Sequence, residues 1–254
     1  MTEAKSMTDV SASVPEGMVI YAVGDIHGQL QLLDNLLKKI VADSVLLSKT
    51  HQRVLVFVGD YGDRGPDSAG VIERLISDLP YGFEAHCLMG NHEAILLDFL
   101  DDPTLLEHWL RNGAQATLAS YGIDAPNDDA PVAEFIRCRD HFVAALPRTH
   151  LEFLKTLPLS VSFGDYHFVH AGIRPGVPVN RQERHDMLWI RDEFLDSDED
   201  LGCIVVHGHT PGPEPVVRCN RIGIDTGAWV NGRLTAVRLL GDERWFLTAE
   251  EERA

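Results

Sequence analysis

The chain is poor in cysteine: Cys87, Cys138, Cys203 and Cys219 stand far apart in 254 residues, with no CxxC pair. That spacing supports neither a thiolate zinc site nor a dithiol redox motif, and buried, reduced thiols are expected. Long apolar runs are missing too. No stretch approaches the ~18 apolar residues of a membrane span, and the first seventeen residues (MTEAKSMTDVSASVPEG) lack the apolar segment of a secretory signal. The expectation is a cytoplasmic protein with no membrane partner. Positive charge is the third shortage: 22 Lys and Arg against 39 Asp and Glu leave a formal net charge of −17. Binding to a nucleic-acid backbone depends on Lys and Arg neutralising phosphates, so nucleic acid is excluded as a principal partner. An acidic protein that acts on an anion needs concentrated positive charge at its site, which metal ions supply.

What the chain does have is enough apolar material, 44% of residues, to bury a core. One catalytic domain over residues 18–254 is expected, after a disordered tail over residues 1–17 and with fraying of the acidic end beyond Trp245. From Met18 short β-branched apolar strands (MVIYAVG, RVLVFVG, FEAHCLMG) alternate with helical patterns (QLQLLDNLLKKIVAD, SAGVIERLISDL, HEAILLDFL). Such a series predicts an α/β fold with strands covered on both faces. From about residue 101 to 156 the pattern turns helical (LLEHWLRNGAQATLASYG, VAEFIRCRDHFVAAL), which reads as an insert. The remainder is mostly strand (LSVSFG, YHFVHAG, CIVVHG, RIGIDTG, RLTAVRLLG). Two mixed sheets packed together and flanked by helices are therefore expected.

Three strands of the first half end alike, in an apolar run, a glycine and a polar cluster: VGDIHG, VGDYGDRG and MGNHE. Ligands bind at the carboxyl edge of open α/β sheets, so Asp25, His27, Asp60, Asp63, Arg64, Asn91 and His92 should converge there. VHAG adds His170 and VHGHTP adds His207 and His209. Each cluster alone is weak: a DxH after a strand is usually a turn, and NHE can be a helix start in which Glu93 favours the dipole. Five of them in order, each at a strand end, point to a shared site. Carboxylate, imidazole and carboxamide groups without thiolates suit borderline or hard divalent ions. Six such groups suffice for two ions sharing a bridging carboxylate and an activated water, with Asp60, in the middle cluster, as the bridge.

GDIHG, GDYGDRG and GNHE followed by two separated histidines resemble the signature of the calcineurin-like metallophosphoesterases, in their phosphoprotein phosphatase branch. HAG, GHTP and HWLRNG look like its bacterial and phage-type members, which include symmetrical diadenosine tetraphosphatases. The ordering covers Met18 to about Gly241. The resemblance implies that Asp25 and His27 hold one ion, that Asp60 bridges, and that Asn91, His170 and His209 hold the other. His207 falls at a variable position and reads as a strand-end core histidine. Two divalent ions are expected, Mn first, with Fe, Zn, Co or Ni as alternatives. His92 is expected to be the general acid, oriented by Asp63. Arg64 offers a fork to phosphate oxygens, and Arg191 resembles a second phosphate arginine, although MLWIRDEFL also suits a helix with an exposed Arg.

The implied activity is hydrolysis of phosphomonoesters by in-line attack of metal-activated water, without a covalent phosphoenzyme. The leading substrate is phosphoserine or phosphothreonine in proteins, with phosphotyrosine included. The alternative is a symmetrical dinucleoside polyphosphate or another small phosphorylated molecule. An inactive metal-binding scaffold ranks last, because every catalytic position is filled.

Overall fold

The computed structural model describes residues 12–47 and 50–251. In chain order the elements are β1 (Met18–Val23), α1 (Leu30–Val45), β2 (Gln52–Phe57), α2 (Ser68–Ser77), β3 (Phe83–Cys87) and α3 (Asn91–Asp101). Four helices follow, α4 (Leu106–Arg111), α5 (Ala114–Ser120), α6 (Val132–Ala145) and α7 (Arg148–Thr156). Then come β4 (Ser160–Phe163), β5 (Tyr166–Val169), α8 (Arg184–Trp189), α9 (Asp192–Leu195), β6 (Ile204–His207), β7 (Val216–Val217), β8 (Arg221–Gly223), α10 (Ala228–Asn231), β9 (Arg233–Leu240) and β10 (Glu243–Glu250).

The strands form two five-stranded mixed sheets, β10-β9-β1-β2-β3 and β4-β5-β6-β8-β7. β1, β2 and β3 are parallel, and β9 runs antiparallel to β1. In the second sheet β5, β6 and β8 are parallel, with antiparallel β4 and β7 at the edges. Strand side chains alternate between faces, and the sequence uses that period to fill two layers. Ile20, Ala22, Val54 and Val56 face Tyr166, Phe168, Ile204, Val206 and Ile222 across the gap between the sheets. Val19, Tyr21, Val23, Leu55 and Phe57 point the other way, onto Leu33, Leu36 and Ile40 of α1 and Val71 and Leu75 of α2. This two-sided burial explains the nearly continuous apolar runs.

The helices after α3 pack around Trp109, whose ring centre lies 5.0 Å from that of Phe99 and 5.7 Å from that of Phe142. Two expectations about the ends are corrected. Residues 1–11 of the expected tail lie outside the described residues, but from residue 12 onward the chain is seated. Ala12 and Val14 are buried between the sheets, the Val14 N–H donates to the Gly241 carbonyl (3.1 Å), and the Ser13 N–H donates to Asp165 Oδ2 (2.9 Å). At the other end residues 252–254 lie outside the described residues, but β10 pairs with β9 from Glu243 through Glu250. There the continuous backbone pairing with β9, with Ala249 buried, outweighs the acidic composition. Among the described residues no helix is long and apolar enough to cross a membrane.

Candidate metal centre

The parallel strands β1, β2, β5 and β6 all run toward one edge, and their ends deliver the polar clusters. Two groups of potential metal-binding side chains form there, His27, Asp60 and His92, and Asp60, His170 and His209. Within each group the ligand atoms lie within 4.8 Å of one another, and all are buried. Asp60 belongs to both. Its Oδ2 is 3.6 Å from His27 Nε2 and its Oδ1 is 3.4 Å from His170 Nε2. Asn91 Oδ1 completes the second group at 2.8 Å from His170 Nε2 and 2.9 Å from His209 Nδ1.

Backbone conformation is spent on this convergence. Among the described residues the non-glycine residues with positive φ are His27, Asp60, Asp63, Arg64 and His209, at 47° to 68°. All five carry site side chains, and left-handed backbone at such residues is maintained only where surroundings over-determine it. Two glycines clear the space. A Cβ on Gly90 would collide with Asp60 Oδ1, and one on Gly208 with Asp25 Oδ1, so each glycine leaves room for a carboxylate.

The chemistry of the donor set fits cations. His27 Nδ1 pairs with the Gly62 carbonyl (2.8 Å) and His170 Nδ1 with the Val58 carbonyl (2.9 Å). A carbonyl can only accept, so each ring carries its proton on Nδ1 and aims the Nε2 lone pair inward, as a hydrogen bond on the far nitrogen orients metal-ligating imidazoles. Burial keeps these rings neutral, lowering His27 to about 3, His209 to about 2 and His170 below its ordinary value. Asp25 Oδ2 accepts the His209 N–H (2.9 Å). Its Oδ1 is buried without a hydrogen-bond partner among the described residues. Burial, with Asp225 and Asp60 nearby, raises the Asp25 carboxyl well above its usual value. Burial likewise raises Asp225 to about 6. Burial also disfavours charge on Asp60, but the surrounding His170, His92, His27 and His209 hold it below the ordinary carboxylate value. Bound cations would compensate three neighbouring buried carboxylates directly.

His92 is built differently. Its Nδ1 meets Asp63 Oδ2 at 2.6 Å, while Nε2 faces the cluster 3.8 Å from Asp60 Oδ2. Burial disfavours the imidazolium, yet Asp60 and Asp63 outweigh it and raise the His92 pKa. The Arg64 guanidinium spans His27 Nε2 (3.3 Å) and His92 Nε2 (3.1 Å), so a cationic group already lies against the ligand cluster. Arg191, between α8 and α9 rather than inside one helix, directs Nε to His209 Nε2 at 3.2 Å. His207 lies outside the cluster at the end of β6, buried with its ring edge-on to Phe194.

Four supporting residues were missed in the sequence. Glu93 accepts the N–H groups of Asp60, Tyr61 and Gly90 at 2.8–2.9 Å, tying the second motif to the third. Its place three residues after Gly90 also suits a helix start, which concealed that role. Trp109 Nε1 donates to Asp63 Oδ2 (2.8 Å) and Thr117 Oγ1 to Asp63 Oδ1 (2.6 Å). Asp225, in GIDTG, is buried beside Asp25 and accepts the Gly227 N–H (2.9 Å). A DTG after a strand was the available signal for it.

Two facing mixed sheets with a buried His, Asp and Asn cluster at their strand ends, straddled by arginines, define a metal-dependent hydrolase of anionic substrates. The chain belongs to the calcineurin-like phosphoesterase family, whose profile matches residues 18–232; it is a metallophosphoesterase. It is 30% identical over 235 residues to the bis(5′-nucleosyl)-tetraphosphatase PrpE [asymmetrical] of Bacillus cereus (strain 03BB102), covering 85% of this chain and 88% of that one. The protein of the same name in Oceanobacillus iheyensis is 28% identical over 238 residues, with 87% and 88% covered. Among solved structures, one provisionally assigned as a diadenosine tetraphosphatase superimposes with a TM-score of 0.62 at 22% identity, covering 96% of each chain. A protein serine/threonine phosphatase from Saccharomyces cerevisiae with similarity to human phosphatase PP5 gives 0.54 at 15% identity, covering 94% of this chain and 81% of that one. Those two likenesses concern the fold.

Proposed function

We propose that the chain is a phosphatase of phosphomonoesters whose leading substrates are phosphorylated serine, threonine or tyrosine side chains in proteins. The observation that carries the reading is Asp60 between two pairs of imidazoles. In this reading Asp25, His27 and Asp60 hold one divalent ion, and Asp60, Asn91, His170 and His209 the other. Ions held there supply water of lowered pKa and neutralise charge on the phosphate. The imidazole-rich donor set favours Mn over Mg. His92 protonates the leaving oxygen from Nε2 while Asp63 holds Nδ1, and Arg64 and Arg191 bind phosphate oxygens. Residues 18–254 act as one catalytic domain, with residues 101–156 as its helical insert. Four free thiols agree with a cytoplasmic location.

The second reading, hydrolysis of a dinucleoside polyphosphate, draws on the names of the relatives, which specify the asymmetrical kind where the motifs had pointed to the symmetrical. A phosphate chain needs cations beyond the metals. Of the insert's cations Arg111, Arg137, Arg139, Arg148 and Lys155, the four arginines pair with Glu107, Glu134, Asp140 and Glu152, all within their own helices. That pairing favours a terminal phosphate dianion. The deciding experiment gives Mn-reconstituted enzyme phosphopeptides, an aryl phosphate and diadenosine tetraphosphate. Higher kcat/KM on phosphopeptides is expected, and a tenfold preference for the dinucleotide overturns the leading reading.

A further inference from the structure

Trp229 belongs to the rim of the site, and neither the ligand set nor the acid uses it. It lies in α10, just beyond the turn that carries Asp225, and is 42% exposed. Its ring packs under the Arg64 guanidinium, 4.9 Å from ring centre to the guanidinium carbon. That guanidinium is the one in contact with His27 and His92, so a single side chain separates the indole from the reacting centre, on the side of the expected acid. The turn beneath it is well tied. The Gly227 N–H donates to Asp225 Oδ1 (2.9 Å), Asn231 Nδ2 to the Thr226 carbonyl (2.9 Å), and the Asn231 N–H to the Gly227 carbonyl (2.6 Å). A large flat ring on a fixed turn, backed by a cation and 42% exposed, is pre-organised to stack.

We propose that Trp229 is a specificity-determining residue that stacks on a planar aromatic ring carried by the leaving group, the chemistry shared by a nucleobase and a tyrosyl side chain. This narrows the phosphoester reading above and rests on it. Arg64 and the metals take the phosphate, His92 protonates the departing oxygen, and the ring behind that oxygen lies against the indole. Phosphoserine carries no ring and gains nothing from this wall. Base and aromatic stacking corresponds to roughly a tenfold or greater change in kcat/KM.

The test compares Mn-reconstituted wild type with Trp229→Ala, Trp229→Leu and Trp229→Phe on four substrates: a phosphotyrosine peptide, the matched phosphoserine peptide, ATP and diadenosine tetraphosphate. Thermal melting checks that each variant is folded. Trp229→Ala and Trp229→Leu should lower the ratio of kcat/KM on ring-bearing substrates to that on phosphoserine by about tenfold, through KM, and Trp229→Phe should recover most of it. A fall confined to the nucleotides identifies a nucleobase, and one confined to phosphotyrosine a tyrosyl ring. Without turnover, AMP should quench tryptophan fluorescence more in wild type than in Trp229→Phe if the ring is a nucleobase. Phosphotyrosine should do so if it is tyrosyl. Equal losses on all four substrates would reduce Trp229 to a support for Arg64, and an unchanged ratio would remove the wall; either overturns the inference. Loaded wild type that cleaves none of the four would instead refute the phosphoester reading itself.

Discussion

The two sides of the ligand cluster share Asp60 but are supported in opposite ways. On the His27 and His92 side Arg64 is half-buried, but the bonds that orient the two rings are buried. Gly62 holds His27, Asp63 holds His92, and Asp63 is itself fixed by Trp109 and Thr117 from the helical segment. On the other side His170 is anchored by the Val58 carbonyl, but His209 leans on Arg191, an exposed residue, with the half-buried Trp189 ring 6.1 Å away. One side is locked by a low-dielectric network, in which each bond is strong and each loss costly. The other reaches the surface, where contacts are screened and adjustable. In the proposed mechanism proton transfer needs fixed geometry, whereas recognition of the phosphate tolerates an exposed arginine.

The most severe way to break this comparison is to remove what the two sides share. Asp60→Asn should lower kcat/KM by about 10³-fold or more, on the scale of losing a principal electrostatic group, and metal analysis should find less than one ion per chain. Asp25→Asn, which touches one side, should do less; if it proved far worse, the bridge would be elsewhere. Chelation should abolish activity, with Mn restoring it better than Mg.

Next in size is His92→Asn, on the locked side. It should slow esters with poor leaving groups by about 10²–10⁴, spare an activated aryl phosphate by comparison, and leave metal content intact. Loss of metal would turn His92 into a ligand, the role its distance to Asp60 also permits. Thr117→Val then probes the lock from outside, removing the hydroxyl that donates to Asp63 Oδ1 while keeping the shape. An effect of about 10–100-fold is expected, as for other bonds that hold a functional side chain from behind, with the leaving-group dependence of His92→Asn in weaker form. A uniform loss on every ester would show that the helical segment supports the fold and not the acid.

How much of this the sequence discloses differs between the two sides as well. The convergence of Asp25, His27, Asp60 and Asn91 was legible because each follows an apolar strand and a glycine, and that of His170 because it ends an apolar strand directly, a local pattern that topology then gathers at one edge. The pairing of Asp63 with His92 was legible through the motifs. Its continuation to Trp109 and Thr117 was not, because those contacts join residues 46 and 54 positions apart, and a tryptophan in HWLRNG looks like core, which it also is. Residues 12–14 were misread for a related reason: one valine and one alanine among polar residues carry no periodicity, yet a seam between two sheets needs only those two side chains.

The smallest expected effect lies on the open side, at Arg191. Its Nε donates to His209 Nε2, so that ring keeps its proton on Nδ1, toward Asn91. If His209 held a cation through Nδ1, its proton would sit on Nε2, which would no longer accept from Arg191, and Arg191 would be free to offer its fork to phosphate oxygens in the proposed mechanism. Because Arg191 is exposed, its attraction to phosphate is weakened by water and counter-ions, and such contacts are worth on the order of 1 kcal/mol. Arg191→Ala should therefore raise KM only about three- to tenfold with little change in kcat, and the penalty should shrink as ionic strength rises from about 0.01 M to 0.5 M. Arg191→Lys should recover part of the loss, since a point charge survives but the bidentate fork does not. A fall in kcat beyond about a hundredfold, or release of metal, would mean that Arg191 holds His209 in place, and the open side would then be as rigidly built as the locked one.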